Sequence, residues 1–381
     1  MPTNFVTGTN NSEIIDAADG VTNHDDYIRA KDGNDTIFGL DGNDSIHGGK
    51  GGDYIHGGEG RDGAYYESSI GPVNVNLRQG TADWGEAEGD MLISIENLGG
   101  SAYGDILAGN DDPNTILGRQ GNDHIHGWGG DDILFGEWED DVLEGGPGGD
   151  HLDGGLGIDT AAYTQSADGV VVSLWGGVTL GSDAGGDAVG DVLWSIENLT
   201  GSHHADGLTG NDGDNVLRGL GGKDTLKGFG GSDTLWSGTG SDTLLGWNGD
   251  DTLYGEAWDD VLAGGYGLDH LYGGSDADTF MWNKTEETST STLVADVIGD
   301  FNAMEGDLIA LGSIDADVYA LGNQSFTFIG AAAFSGAPGE LRYYHSSGNT
   351  YIEMQTGTSA DVEGVIRLDG IHTPAASWFV L

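Results

Sequence analysis

Aspartates recur along this sequence at a step of nine residues, each preceded by glycines and followed two positions later by an aliphatic residue. The stretch "GGKDTLKGFGGSDTLWSGTGSDTLLG" (221–246) has three copies, in which Asp224, Asp233 and Asp242 are each followed by Thr and Leu. Carboxylates and turn carbonyls are hard oxygen ligands, and they suit Ca²⁺ because it accepts six to eight oxygens in flexible geometry. Mg²⁺ demands a stricter octahedron, and Zn²⁺ favours His or Cys. The spacing therefore predicts calcium-binding turns.

The nine-residue step occurs in three blocks and predicts a set of metal ligands. The predicted ligands are Asp35, Asp44, Asp53, Asp62, Asp123, Asp132, Asp141, Asp150, Asp159, Asp224, Asp233, Asp242, Asp251, Asp260, Asp269 and Asp278. Asn114 and Asn215 replace aspartate in phase, and Glu139, Trp258 and Asp276 replace a glycine of their turns. We expect weaker ion sites at those turns.

Each nine-residue unit is predicted to be a glycine-rich turn followed by a very short strand. Side chains alternate along a strand, so the aliphatic residues form an inner stack and their neighbours face outward. Two units make one coil, with a strand on each face. One buried aliphatic contributes about 1.5–3 kcal/mol, whereas each ordered residue loses about 1–2 kcal/mol of backbone entropy. The core alone is too thin, so bound ions must hold the turns.

The segments "GGKGGD" (48–53), "GGPGGD" (145–150) and "GGYGLD" (264–269) resemble the G-G-x-G-x-D-x-U-x nonapeptide of the repeats-in-toxin (RTX) family. The resemblance covers most of residues 30–280. It implies an all-β, right-handed parallel β-roll, a solenoid with Ca²⁺ between successive turns. Counting pairs of good turns on one side of the roll predicts on the order of ten calcium ions.

Composition narrows the classes of partner. The chain has 381 residues, of which 72 are glycine, and 64 acidic residues face 12 basic ones, for a net charge of −52. Such a charge opposes compaction and disfavours nucleic acid as a partner. There is no cysteine, so no disulfide can stabilise the fold. No apolar run is long enough to predict a membrane span, and the N-terminal segment lacks the pattern of a classical signal peptide.

The three blocks and the segments between them predict six parts of the chain. They are a first roll block (1–66), a linking β segment (67–104), a second block (105–162), a linking β segment (163–205), a third block (206–280) and a C-terminal part (281–381). "SIENLGGSAYGDILAGN" (94–110) parallels "SIENLTGSHHADGLTGN" (195–211), which indicates a duplicated module. The linking segments are expected to continue the stacked sheets with longer coils.

The C-terminal part departs from the nonapeptide. "FTFIGAAAFSGAPGELRYY" (326–344) and the final "SWFVL" (377–381) resemble the domain that follows the β-roll in serralysin-type secreted proteases. The resemblance implies a β-rich cap and an uncleaved signal read by the type I secretion machinery. It therefore predicts a secreted, extracellular protein.

No recognisable catalytic motif accompanies the repeats. H-E-x-x-H, G-x-S-x-G and Walker patterns are all absent from the sequence. His124 and His126 flank Ile125 and are interpreted as a solvated pair, or as a surface metal contact. Acidic pairs such as Asp131–Asp132 could act as acid/base couples, but calcium turns explain them better. The sequence therefore predicts no enzyme activity.

Aromatic residues form one further pattern. Trp236, Tyr254 and Tyr272 recur every 18 residues, and Phe229 and Trp247 share the same spacing. Stacking would place each set in a row on the roll. Such rows stabilise sheets by themselves, and the alternative is a platform for sugar rings.

These observations predict a secreted, non-catalytic calcium-binding RTX protein that folds on binding extracellular Ca²⁺. Its role would lie in surface, matrix or host interaction, with a polysaccharide or cell-surface ligand as a candidate partner. Two alternatives remain. One is a polysaccharide-acting enzyme module, related to lyases, hydrolases or epimerases. The other is a toxin-like protein or adhesin.

Overall fold

The structure is a computed structural model that describes residues 4–175, 186–284, 287–288, 295–317, 322–358 and 361–381. These residues form β-strands and turns, with short 3-10 turns at Gly85–Ala87 and Ala376–Trp378 and no α-helix among them. Within the same residues, no helix is long and apolar enough to cross a membrane. The predicted all-β class is confirmed.

The strands are short, and most have three or six residues. The strands up to the second block are β1 Asn4–Thr7, β2 Ile14–Ile15, β3 Asp26–Asp32, β4 Thr36–Asp41, β5 Ser45–Lys50, β6 Tyr54–Glu59, β7 Gly63–Tyr65, β8 Asn74–Asn76, β9 Thr81–Asp83, β10 Met91–Ile93, β11 Asn97–Gly99 and β12 Ile106–Ala108. The next strands are β13 Thr115–Gln120, β14 His124–His126, β15 Ile133–Trp138, β16 Val142–Glu144, β17 His151–Leu156, β18 Thr160–Ala162, β19 Val171–Ser173, β20 Val192–Trp194, β21 Asn198–Thr200, β22 Gly207–Thr209, β23 Val216–Arg218 and β24 Thr225–Gly230. The last strands are β25 Thr234–Trp236, β26 Thr243–Asn248, β27 Thr252–Tyr254, β28 Val261–Tyr266, β29 His270–Tyr272, β30 Thr279–Met281, β31 Asp296–Ile298, β32 Leu308–Ala310, β33 Thr327–Phe328, β34 Glu340–Ser346, β35 Asn349–Gln355, β36 Gly364–Leu368 and β37 Phe379–Val380.

The chain divides into two compact units. The first comprises the described residues of Met1–Ala167 and Gly176–Asn198, and the second those of Asp168–Trp175 and Leu199–Leu381. The six boundaries expected from the sequence remain a prediction.

The first unit is a β-roll of two sheets. Its nine-stranded sheet has the order β1-β3-β5-β7-β11-β13-β15-β17-β20, and the pairings within it are parallel. The other sheet runs β2-β4-β6-β10-β9-β8-β12-β14-β16-β18, in which only β9 pairs antiparallel among the described strands. Apart from β8, β9 and β10, which lie together in the second sheet, successive strands of this unit alternate between the sheets, so a regular coil contributes one strand to each.

The second unit repeats this design. Its parallel sheet has the order β19-β22-β24-β26-β28-β30-β32-β37. The facing sheet runs β21-β23-β25-β27-β29-β31-β36-β35-β34-β33. There β34, β35 and β36 pair antiparallel and form the β-rich cap at the C-terminal end of the roll. The predicted β-roll with a β-rich cap is confirmed.

The core is a stack of single aliphatic side chains. In-register strands pair residue i with residue i+18, as Leu235 pairs with Leu253 and Leu253 with Leu271. The aliphatic residue predicted to face inward is completely buried at every position of the repeat: Ile37, Ile46, Ile55, Ile116, Ile125, Leu134, Leu143, Leu152, Leu217, Leu226, Leu235, Leu244, Leu253, Leu262 and Leu271. The inner stack expected from the sequence is therefore present.

Candidate metal centre

The predicted ligand aspartates form ladders along both edges of the rolls, each immediately before a strand. One carboxylate oxygen, Oδ1, accepts the backbone N–H of the in-phase residue 18 positions earlier. Asp242 thus accepts from Asp224 at 2.7 Å and donates its own N–H to Asp260 at 2.8 Å. Asp35 begins its ladder by accepting from Glu13 at 2.8 Å instead. One oxygen of each carboxylate therefore binds the backbone of the preceding coil.

The second oxygen of these carboxylates has no hydrogen-bond partner. Within the described part of the chain, sixteen aspartates have a buried Oδ2 atom without a partner, and they are the sixteen residues predicted as metal ligands from the sequence. A buried polar atom that accepts nothing destabilises a fold, more so when it carries charge. Each of these oxygens therefore requires a cation or a proton.

The first glycine of the repeat places each Oδ2 atom against the neighbouring turn. A methyl group built on Gly246 would overlap both Asp251 Oδ2 and the carbonyl oxygen of Gly264. The carboxylate of one coil and a turn carbonyl of the next therefore lie beside the same glycine. The carboxylate oxygen Oδ2 receives no hydrogen bond there. Oxygens of this kind are the ligands that Ca²⁺ takes in proteins.

Burial raises the pKa of the ladder carboxyls, because the charged form loses its hydration. The pKa rises to about 8 for Asp123, Asp150, Asp251 and Asp260. It rises to about 7 for Asp44, Asp141, Asp224, Asp233, Asp269 and Asp278. It rises to about 6 for Asp53, Asp62, Asp132 and Asp159. A metal-free ladder therefore holds protons near neutral pH, which a cation would displace.

Four ladders begin with a residue whose side-chain oxygens all accept hydrogen bonds from the protein. Asp206 accepts from Val170 N at 2.7 Å and from Ser202 N at 2.6 Å. Asp105 makes the equivalent contacts with Val73 and Ser101 in the first unit. Asn114 and Asn215, which replace aspartate, accept from Asn110 N at 2.7 Å and Asn211 N at 2.8 Å. None of these four positions offers a buried oxygen without a partner.

The sequence pattern missed the acidic residues that continue the ladders outside the nine-residue step. Asp53 donates its N–H to Asp90, and Asp62 donates to Glu96. Their counterparts elsewhere are Asp191, Glu197, Asp296 and Asp307, which accept from Asp150, Asp159, Asp269 and Asp278. The aspartates among them are each followed two positions later by Leu or Ile, and that signal could have found them.

Most of these additional aspartates have protein donors on the second oxygen as well. Tyr66 donates its hydroxyl to Asp90 Oδ2 at 3.1 Å, and Tyr163 donates to Asp191 Oδ2 at 3.1 Å. At the C-terminal end, Trp282 Nε1 donates to Asp296 Oδ2 at 2.8 Å. The duplicated module thus ends its ladders with the same buried tyrosine.

The first aspartate of each acidic pair belongs to a second ladder. Asp131, Asp140, Asp250 and Asp259 each accept the N–H of the residue 18 positions later, at 2.9–3.0 Å. This direction is opposite to that of the buried ladder. The two members of a pair therefore have different roles, and only the second member has a buried oxygen without a partner.

Turns that lack a glycine of the pattern keep the backbone shape. Glu139, Trp258 and Asp276 have φ of 71°, 85° and 80°, the left-handed region that glycine favours. Asp141, Asp260 and Asp278, which follow in those turns, still have a buried Oδ2 atom without a partner. The replacements strain the turn without moving the carboxylate.

The donor set fits calcium bound by carboxylates and carbonyls together. Among the described residues, no three His, Cys, Asp or Glu side chains converge in a cluster that could hold a metal ion. Side chains alone therefore do not complete a site, and the turn carbonyls beside each Oδ2 atom would supply the remaining ligands. Calcium tolerates such mixed oxygen shells, whereas zinc does not favour them.

The aromatic rows stack as their spacing predicts. Trp236 and Tyr254 have ring centroids 3.8 Å apart, and Tyr254 and Tyr272 are 4.9 Å apart, with nearly parallel planes. The far face of Tyr272 lies against Gly299. Since these rings contact one another face to face, the row resembles structural stacking more than a sugar platform, a use that remains only a prediction.

The RTX calcium-binding nonapeptide repeat family model matches eight overlapping segments of the chain. They are residues 22–54, 29–64, 99–134, 108–143, 129–161, 209–244, 228–257 and 245–280. These segments match the RTX calcium-binding repeat. Among the described residues, they contain every aspartate whose buried second oxygen lacks a partner, so the family match and the buried carboxylates identify the same turns.

Two solved subunits of one epimerase are similar to about half of the chain. The R2 subunit of the AlgE6 mannuronan C5-epimerase from Azotobacter vinelandii has 22% identity and a TM-score of 0.28, with 46% of this chain and 91% of that chain covered. The R3 subunit of the same epimerase has 24% identity and a TM-score of 0.22, with coverage of 46% and 78%. No curated protein sequence matches the chain significantly.

Proposed function

We propose that the protein is a secreted, non-catalytic β-roll whose folding is coupled to extracellular calcium. The observation that carries this proposal is the set of sixteen buried Oδ2 atoms without a partner. They follow the two edges of both units and lie within the RTX repeats. A fold that buries so many carboxylates at neutral pH needs a cation to stabilise it.

Calcium would be held by the sixteen ladder aspartates together with carbonyls of adjacent turns. When bound, it supplies positive charge to buried carboxylates and joins one coil to the next. The protein's own contribution is to place each carboxylate, because Oδ1 is fixed by a backbone N–H of the preceding coil. Each completed turn thereby positions the next, and binding along a stack of repeats becomes cooperative.

The uniformity of the ladders favours a structural role over acid/base catalysis. A catalytic carboxylate pair needs two different environments, so that one group donates a proton while the other accepts one. Here each buried carboxyl accepts the same kind of backbone N–H and lies at the same position before a strand. The pKa of each is raised by the same cause, burial. A polysaccharide-acting enzyme module remains the alternative, and an assay for product release from uronate-containing polymers would reveal it.

The cell exterior is the compartment in which this chemistry works. Extracellular calcium modules bind at about 10⁻⁴–10⁻³ M, far above cytosolic calcium. The chain would therefore remain unfolded during export and fold outside. The serralysin-like "FTFIGAAAFSGAPGELRYY" segment (326–344) supports export by type I machinery. A role in surface, matrix or host contact, including that of an adhesin or toxin, follows from this location.

A calcium titration tests the folding proposal. Far-ultraviolet circular dichroism of the full chain is followed against free calcium, with magnesium as the control cation. We expect a cooperative gain of β-structure at about 10⁻⁴–10⁻³ M calcium and little gain in magnesium. A chain that is already fully β-structured in chelator, or that folds equally well in magnesium, contradicts the proposal.

A deletion tests export. Removing about the last 50 residues should retain the protein in the producing cell, since the address would lie in 281–381. Fusing that segment to a cysteine-free passenger should export the passenger through a type I system. Normal secretion of the shortened chain would contradict this part of the proposal and leave the calcium coupling untouched.

A further inference from the structure

A notch one strand wide interrupts the outer face of the second unit. On β28, two successive outward positions carry the small residues Ala263 and Gly265, whereas the paired positions of the preceding strand β26 carry Leu245 and Trp247. Met281 and Asn283 continue these rows on the far side. The resulting cavity of about 330 Å³ is lined by Leu245, Trp247, Ala263, Tyr266, Met281 and Asn283, with Gly265 at its base. Small side chains at one strand thus create the opening.

Trp247 presents a bare aromatic face to this notch. One face of its indole stacks on Phe229, with centroids 5.3 Å apart and an angle of 10° between the planes. Trp175 extends the same row at 5.6 Å from Phe229. On the other side the register places Gly265, which has no side chain. The row of rings therefore ends with a half-exposed indole, 49% accessible, over an empty position.

The width of the notch suits one ring. Neighbouring strands lie about 4.8 Å apart, so the strands on either side of β28 are separated by about 10 Å. Stacked rings have centroids about 4.5–7 Å apart. One flat ligand ring on Trp247 would fill the place that a fourth aromatic side chain would otherwise occupy, and it would rest on the apolar floor of Leu245, Ala263 and Met281.

The rim of the notch is polar. Lys284 Nζ lies 3.2 Å from the Tyr266 hydroxyl. Glu287 accepts the backbone N–H of Asn283 at 2.6 Å and also lines the cavity. Hydrogen-bonding groups above an aromatic wall match a pyranose, which has an apolar face of C–H groups and an edge of hydroxyls. A purely apolar ligand would leave this rim unused.

The negative charge of the protein favours a neutral sugar over a charged one as the ligand. The chain has a formal net charge of −52, and on the order of ten bound Ca²⁺ would cancel only part of it, so a polyanionic polymer would still be repelled. Glu287 at the rim adds a local negative charge, while Lys284 disfavours a cation. We propose that this notch binds one pyranose ring of a neutral glycan, stacked on the exposed face of Trp247. The site rests on the proposed calcium-dependent fold, because its walls are strands of the roll.

The test uses the full chain in saturating calcium with cellobiose, maltose, lactose and chitobiose as neutral probes, and a uronate disaccharide as the charged probe. Isothermal titration calorimetry measures binding. We expect at least one neutral probe to bind and the uronate to bind more weakly. Absence of binding by all four neutral probes, or tighter binding of the uronate, would overturn the inference.

Three variants locate the site. Trp247→Leu removes the flat face and should weaken binding at least about tenfold, and Ala263→Leu should do the same by filling the floor. Trp258→Leu is the matched control, because Trp258 is also exposed, at 62% against 49%. It also has a similar φ of 85° against 81°. Unchanged affinity in Trp247→Leu, or an equal loss in Trp258→Leu, would overturn the proposed location.

Circular dichroism of the same samples separates the two proposals. If calcium does not induce β-structure in the wild-type chain, the calcium-coupled fold proposed above fails. If the chain folds with calcium and binds no neutral probe, only the glycan site fails. If Trp247→Leu does not fold at saturating calcium, Trp247→Phe is used in its place. Phenylalanine keeps a smaller ring, so it should weaken binding by a smaller factor than leucine would. Binding by Trp247→Phe that is as tight as that of the wild-type chain, or tighter, would overturn the inference.

Discussion

At the scale of single residues, the two carboxylate oxygens of each ladder aspartate have different environments. Oδ1 accepts a backbone N–H and is satisfied with or without metal, whereas Oδ2 is buried without a partner among the described residues. The neighbouring aspartate of an acidic pair has the same charge but accepts its N–H at the exposed side of the turn. Adjacent residues of one type thus offer a matched comparison.

Asp251→Asn and Asp250→Asn should therefore differ in calcium dependence. Both remove one negative charge, and in both the amide oxygen can still accept the backbone N–H. Only Asp251 loses a buried ligand oxygen, so we expect its calcium midpoint to rise about fivefold or more, roughly 1 kcal/mol. Asp250→Asn should shift the midpoint by less than about twofold. The measurement is circular dichroism against free calcium, and equal shifts would show that bulk charge, not ligation, is responsible.

The raised pKa values predict that acid replaces calcium in part. The folded-state pKa of Asp251 and Asp260 is about 8, and that of Asp233 about 7, against 3.8 for an exposed aspartate. The folded chain then binds more protons than the unfolded one, so this stabilisation is complete below about pH 3.8 and disappears as the pH rises through about 6–8. Without calcium, β-structure should be greater at pH 5 than at pH 8.

Proton release checks the same linkage. Calcium binding near pH 7 should displace protons from the ladder carboxyls, and the apparent calcium affinity should fall as the pH falls from 8 to 6. Calorimetry in two buffers of different ionisation enthalpy measures the protons released. A calcium affinity that does not change over this range would contradict the pKa assignments.

At the scale of strands and coils, protein donors mark the ends of the ladders. Tyr66 is buried and donates to Asp90, and Tyr163 makes the same contact with Asp191 in the duplicated module. Each tyrosine thereby satisfies the oxygen that would face a cation elsewhere in the roll. The coils of the linking segments are thus held by hydrogen bonds of the protein itself.

Tyr66→Phe should destabilise the first unit even at saturating calcium. The change leaves Asp90 Oδ2 buried without its hydroxyl donor, which costs about 1–3 kcal/mol of unfolding free energy. Urea unfolding measures the loss, and Tyr103→Phe, at an exposed ring, is the control. A loss that disappears when calcium is raised further would show that a cation can replace the tyrosine.

At the scale of the whole chain, charge and a thin core decide the metal-free state. A charge of −52 and one buried aliphatic per nine residues do not hold 381 residues together. Under the proposed calcium coupling, each bound Ca²⁺ would remove two negative charges and join two coils. Calcium occupancy would then set the balance between an expanded chain and a roll.

Small-angle X-ray scattering should show this change directly. In chelator at pH 8, we expect a radius of gyration that approaches about 70 Å, the value for an unfolded chain of this length, and a sharp decrease with calcium. About 1 M NaCl, which screens charge to about 3 Å, is the control. Compaction by salt alone would show that repulsion, and not missing ligands, keeps the chain expanded.

The nine-residue period was enough to predict which aspartates carry the buried carboxylates and which residues form the inner stack. Each Asp-x-aliphatic unit specifies one turn carboxylate and one inward side chain, so a local pattern repeated along the chain defines the roll. The sixteen predicted aspartates and the buried aliphatics both follow from this short-range order. Strand alternation requires no information from distant parts of the sequence.

The ends of the ladders and the notch depend on which coils become neighbours. Asp53 pairs with Asp90 across 37 residues and Asp278 with Asp307 across 29, spacings that are not multiples of nine. The length of each longer coil decides which acid meets which backbone N–H, and whether Tyr66 reaches an oxygen. Likewise, the notch exists because the strand register places Gly265 beside Trp247. Long-range register therefore decides where the ladders of unpartnered carboxylates end and where the notch opens.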